Sequence, residues 1–278
     1  MTHKQVNDFG SCLMVAGVLL AGAVRANEAQ PKTDWLVNPA PYVAAVRADP
    51  SGREITLENG LIRRVLRLQP NAATVAFDNL MTGESLLRSV RPEALVTLNG
   101  ARVEVGGLTG QPLNSFLKPE WLDRMKTNPR AWRFVRHTIG RTRARFPWKM
   151  RTEWMAEPAQ WPPPGVSLVL EFEAPALAGP DADRAVSPGV TVEVHYELYD
   201  GIPLLSKWIA VRNGSDKTVR LNSFVAEILA AMEAESAVGD PAGWRLPNLH
   251  VETDYAFGGS MSAEGSANSV YWLPDPEY

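Results

Sequence analysis

Between Thr191 and Ser215 the chain reads TVEVHYELYDGIPLLSKWIAVRNGS, and this stretch commits it to sheet. Val192, Val194, Tyr196 and Leu198 alternate with Glu193, His195 and Glu197, a period of two that sends one set of side chains to a buried face and the other toward water. Asp200-Gly201 and Asn213-Gly214 supply turns, with Pro203 just after the first. Leu204 to Val211 is denser in apolar residues, as in a strand covered on both sides, with Lys207 the exception. Such a pair predicts a large antiparallel β-domain.

The same grammar recurs upstream. Arg53–Glu58 and Leu61–Leu68 flank Asn59-Gly60, and Ala94–Leu98 and Arg102–Val105 flank Asn99-Gly100; an Asn-Gly pair between apolar runs is a strong hairpin signal. The first β-series is expected to begin at Glu54. Ala73–Phe77 and Gly165–Phe172 read as further strands, and Thr218–Met232 as one long strand. Leu113–Ala131 holds the one helix candidate, Pro119–Met125, with Pro at its first turn and Pro129 beyond it.

Residues 1–26 read as a signal peptide. Cys12–Val24 is apolar but too short to span a bilayer, and Val24-Arg25-Ala26 presents small residues where a signal peptidase cuts. Removal after Ala26 predicts a secreted or periplasmic protein of 252 residues with no membrane span and no cysteine, since Cys12 is the sole one. Disulfides and cysteine-ligated metals are thereby excluded from the mature part, which must be held by core burial. It carries 26 Lys and Arg against 30 Asp and Glu, a balance that gives no broad support for nucleic-acid binding. Residues 27–53 form a lead-in and 54–278 the β-domain. The aromatic, turn-forming end NSVYWLPDPEY predicts that Tyr271, Trp272 and Leu273 pack against sequence beyond Tyr278.

Three groups of residues invite chemistry. From Trp132 to Trp161, Trp132, Phe134, Phe146, Trp148, Trp154 and Trp161 are interleaved with Arg133, Arg136, Arg141, Arg143, Arg145, Lys149 and Arg151. This pattern suits an amphipathic strand pair with rings inward, sugar faces stacked on Trp with hydroxyls bonded to Arg, or nucleic-acid bases. Among carboxylates, Asp254 in HVETDYAFGG precedes a Gly-Gly turn, where a loop could offer it to sugar hydroxyls or simply to solvent. Glu252, two residues earlier on the same face of an extended segment, lies too close to Asp254 for the pair to straddle a glycosidic bond. His137, His195 and His250 lack the short spacing of a metal site, and no nucleophile elbow, phosphate-binding loop or dinucleotide fingerprint occurs, so no cofactor is implied.

ENGLIRRVLRLQPNAATVAFDNLMTGESLL (58–87), RFPWKMRTEW (145–154), WPPPGVSLVLEF (161–172), VHYELYDGIPLLSKWIAVRN (194–213) and HVETDYAFGG (250–259) together resemble the amino-terminal domain of bacterial secreted proteins related to the α-galactosidases of glycoside hydrolase family 36. The resemblance implies an all-β fold, an antiparallel supersandwich like that of galactose mutarotase, followed by a (β/α)8 barrel that carries both catalytic aspartates. It implies that this domain is non-catalytic, with the barrel and, through it, an α-glycoside as partners. It makes Asp254 and Tyr255 the loop residues nearest a sugar pocket, and Trp148 and Trp154 substrate contacts or else interface or core residues. No barrel sequence occurs in the chain, so no nucleophile or general acid is assigned. Two rival readings stay open: a stand-alone carbohydrate-binding module, and an aldose epimerase, for which His195 or His250 would have to converge with Glu227.

Overall fold

The structure, a computed structural model, describes residues 33–149, 151, 153, 160–175, 189–232 and 249–251. The chain divides into Met1–Asp34, of which only Thr33 and Asp34 are described, and Trp35–Tyr278, which holds all the elements below. That second unit is predominantly antiparallel sheet. Strands β1 (Ala45–Ala48), β2 (Glu54–Glu58), β3 (Ile62–Arg67), β4 (Ala73–Asn79) and β5 (Glu84–Ser85) pair in sequence order. β7 (Ala94–Leu98) lies between β8 (Ala101–Val105) and β13 (Leu221–Val225), and β6 (Leu87–Ser89) pairs with β14 (Ala230–Ala231). The largest contiguous surface is the sheet β12-β11-β10-β9, made of Leu205–Asn213, Val190–Tyr199, Gly165–Glu173 and Arg133–Arg141.

The hairpins follow from their turns. At the β7–β8 turn Asn99 has φ 49° and Gly100 φ 82°, the pair of left-handed residues that lets a two-residue connection follow the twist of its strands. The buried Asn59 does more than turn β2 into β3. Its side-chain carbonyl accepts from Leu61 and Ile62, and its amide donates to the carbonyls of Tyr199 and Ile202 at 2.9 and 2.8 Å, tying this hairpin to the turn between β11 and β12.

One core serves three sheets. Ile55, Leu57 and Leu66 from the first sheet, Val96 and Leu98 from β7, and the inward row of β10 and β11 are all fully buried in it, closed by Trp132. Leu168, Leu170, Val192, Val194, Tyr196 and Leu198 show no exposure at all, as the alternation in β11 requires. At about 1.5–3 kcal/mol for each large apolar side chain, this burial is the main force holding a domain without disulfides.

Four expectations are corrected in detail. The sheet begins with β1, inside the stretch read as lead-in; two alanines in four residues are poor strand formers, and β1 owes its place to the register Ala45↔Glu58 to Ala48↔Ile55. Its approach is secured from afar, since Ala44 N–H donates to Asp200 and Gly201 N–H to the carbonyl of Tyr42, both at 2.7 Å. Thr218–Met232 is not one strand but β13 and β14 in different sheets, broken where Glu227 turns inward to two buried cations. The helix, α1, is only the single turn Pro119–Leu122. Among the described residues, Trp132–Trp161 contains one strand, β9, rather than a strand pair. Among the described residues no helix is long and apolar enough to cross a membrane.

Candidate functional site

Because β10 and β11 point their apolar residues into the core, their intervening residues form an outer face, and directly paired residues share that face across the sheet. Its rows are set by register. Glu171 stands opposite Glu193 and Arg136; His195 opposite Trp208 and Val169; Glu197 opposite Ser206 and Ser167. Arg136 is bonded to Glu171 at 2.7 Å and Arg212 to Glu193 at 2.9 Å, so a four-member charge ladder crosses the sheet from edge to edge. The Arg212 guanidinium holds the Glu193 carboxyl below the usual carboxylate range against its own partial burial, with His195, 2.9 Å away, adding to the effect.

Next to this ladder the His195 and Trp208 rings stack with centroids 4.9 Å apart, and the Arg145 guanidinium lies 4.8 Å from the Trp208 centroid. Arg145 belongs to the loop that leaves β9, and two hydrogen bonds bring that loop back to the sheet. The Arg143 N–H donates to the buried Glu197 carboxylate at 2.9 Å, and the Thr142 hydroxyl donates to the carbonyl of Pro163. Glu197 accepts the Tyr199 hydroxyl as well, at 2.9 Å, and burial together with this carboxylate raises the Tyr199 phenol above its ordinary range despite its contact with Ser206.

On the same loop Phe146 and Trp148, 47% and 41% exposed, pack on Trp161 with centroids 5.1 and 5.3 Å apart and planes tilted by 42° and 53°. The three rings form an apolar cluster that the solvent reaches, set apart from the core of the sheets. The Trp161 indole N–H is buried with no acceptor among the described residues, a lack that costs about 1–3 kcal/mol where nothing else satisfies it.

The opposite side of β11 carries a different constellation. Arg64 of β3 and Lys207 of β12, the latter facing Tyr196 across the register, have side chains buried with Glu93, and the half-buried Glu227 joins them. Arg64 meets Glu227 through both nitrogens at 2.5 and 3.2 Å and Thr74 at 2.7 Å; Lys207 reaches Glu227 at 2.8 Å and the carbonyl of Glu93 at 2.6 Å. The Tyr196 hydroxyl donates to Glu93, and its ring lies 4.8 Å from the Arg64 guanidinium carbon. Burial pushes the Glu227 carboxyl up, but the two cations outweigh it and bring it down to about 2. Two cations and two carboxylates thus neutralise one another in a closed network. A carboxyl this acidic, held on both oxygens, is a poor proton acceptor near neutrality.

Of the residues singled out in the sequence, Trp148 lies on the exposed aromatic surface. Trp154, Glu252, Asp254 and Tyr255 lie outside the described residues, as do Tyr271, Trp272 and Leu273. His195 and Glu227 are not brought together: the first sits on the outer face of β11, the second in the network behind it. His250 is exposed, beside Leu249, which packs with Leu229 against Phe77, Leu86 and Leu87. Among the described residues no three His, Cys, Asp or Glu side chains stand where they could hold a metal ion. Sequence reasoning missed Trp208, because β12 is apolar on both sides and its alternation is masked, and missed Glu197 as the loop's anchor, because that bond spans more than fifty residues. Comparison with known proteins finds no matching family model, no matching curated protein and no matching solved structure.

Proposed function

We propose that this protein is the non-catalytic β-domain of an exported glycoside hydrolase of α-galactosidase type, built as a mutarotase-like supersandwich, that supports a catalytic barrel and presents a sugar-contacting surface. The observation that carries this reading is the exposed Phe146–Trp148–Trp161 surface tethered over the polar face of the four-stranded sheet. The C–H face of a hexose packs on an indole, while hydroxyls at its edge take hydrogen bonds from arginine and carboxylate neighbours. Covering roughly 50 Å² of ring is worth about 1 kcal/mol. Two such contacts with two or three hydrogen bonds at about 1 kcal/mol each give a Kd of about 1 mM. The resemblance of the sequence segments to glycoside hydrolase family 36 proteins supplies the sugar class.

The test is a titration of the whole chain with α-galactosyl oligosaccharides, followed by tryptophan fluorescence. Saturable binding in the millimolar range, weakened about fivefold in Trp148→Ala for a lost contact of about 1 kcal/mol, is expected. A native chain that binds no saccharide overturns the reading. So does clear turnover of aryl α-galactosides by the purified chain, since the catalytic groups would then be its own.

A further inference from the structure

We infer that the ligand of this surface is an anionic saccharide, a glycan bearing sulfate or uronate groups; this rests on the sugar-contact reading and narrows it. From Arg133 to Arg151 the sequence holds seven Lys and Arg and not one Asp or Glu, in a chain whose net charge is −3. Such a run inside an acidic protein is a local field, not an overall one. Most of the charge nearby is already committed. Arg136 is held by Glu171, Glu193 by Arg212 and His195, and Glu197 by the Arg143 N–H and the Tyr199 hydroxyl.

What remains is positive. Arg143 and Lys149 are exposed, and among the described residues neither has a carboxylate within ion-pair distance. Their placement is not diffuse. Arg143 is fixed beside the sheet by its N–H bond to Glu197, and Lys149 adjoins the exposed Trp148. Two cations without a carboxylate partner among the described residues thus line the loop that displays the aromatic surface. A neutral sugar would gain nothing from them beyond a hydrogen bond. A sulfate or carboxylate on a sugar stacked at Trp148 would gain a charge-assisted bond and relieve their mutual repulsion.

Nucleic acid would meet the same charges. It carries a negative charge on every residue along its length, which the chain's net charge of −3 opposes more than it opposes a short saccharide bearing one or two anionic groups.

The experiment titrates the whole chain with four probes: neutral galacto-oligosaccharides, sulfated galacto-oligosaccharides, oligogalacturonates and a thymidine oligonucleotide. It is run at about 0.02 M and about 0.5 M salt, where screening lengths of about 20 and 4 Å separate long-range attraction from contact. At low salt an anionic saccharide should bind at least about tenfold tighter than the neutral one, and high salt should shrink that preference. Arg143→Ala combined with Lys149→Ala should cut the preference about tenfold; both side chains are at the surface, so folding, checked by circular dichroism, should not change. Stronger binding of the sulfated or of the uronate probe supports the inference and names the anion. Equal binding of neutral and anionic saccharides overturns it while leaving the sugar-contact reading standing. Binding of no saccharide by folded protein overturns both, and tightest binding of the oligonucleotide replaces the glycan with nucleic acid.

Discussion

Replacing Glu227 by Gln removes the carboxylate that Arg64 and Lys207 contact most closely, leaving the two cations with Glu93 alone, at 3.5 and 3.4 Å. The side chain keeps its shape, so what is lost is charge. The magnitude follows from linkage. Glu227 titrates at about 2 in the folded protein against an ordinary 4.5, and each pKa unit is worth about 1.4 kcal/mol, so its ionised form contributes about 3 kcal/mol. The folded value is the lower one. The stabilisation is therefore complete above the unfolded value, near pH 5, and is lost as pH falls through about 2. Glu227→Gln should lose about 3 kcal/mol at pH 7, within the range for breaking one side of a buried ion pair. Urea denaturation at pH 7, 5 and 3 measures this. With a slope of about 2–3 kcal/mol per molar urea for a domain of this size, the midpoint should fall by about 1 M at pH 7. The gap to the parent should narrow as pH drops below 5, because the parent then protonates the same group. A midpoint at pH 7 within about 0.2 M of the parent, or a gap that does not change with pH, would refute the assignment of this network as a stabilising one.

Tyr196→Phe deletes the hydroxyl donated to the buried Glu93 and should cost about 1–3 kcal/mol in the same denaturation assay, with no change in saccharide titrations because the ring faces away from the outer face. Gly106 and Gly52 both have positive φ, but a Cβ on Gly106 would stand 2.4 Å from the carbonyl oxygen of Ala72 and 2.9 Å from the Phe172 ring, whereas one on Gly52 meets nothing within 4 Å. Gly52→Ala should therefore cost only the left-handed backbone penalty of about 1–2 kcal/mol, and Gly106→Ala markedly more, read as the difference in their thermal midpoints. Glu197→Ala should free the loop that carries the aromatic rings and weaken saccharide binding severalfold in the fluorescence titration, while Glu197→Gln, which keeps an acceptor for the Arg143 N–H, should recover most of it.

The sheet was legible in the sequence because its signals are local. Alternation in β11 names its buried row residue by residue, and Asn99-Gly100 names a turn whose φ values only such a pair adopts at ease. Lys207 stood out as a charge in an apolar strand, but what neutralises it could not be read there: Glu93 and Glu227 come from segments far apart in the chain, drawn together because a buried cation must find an anion. The same requirement broke the long strand expected after Thr218, overriding its local propensity. Around the rings the sequence left the choice open between core, sugar and nucleic acid, since composition cannot say which way a side chain points. Trp132 and Phe134, beside or on a paired strand, turned inward; Phe146 and Trp148, on a loop returned to the sheet by Glu197, stayed in water. Periodicity assigns faces within a strand; only the closing of distant pairs decides which face of which sheet is left for a ligand.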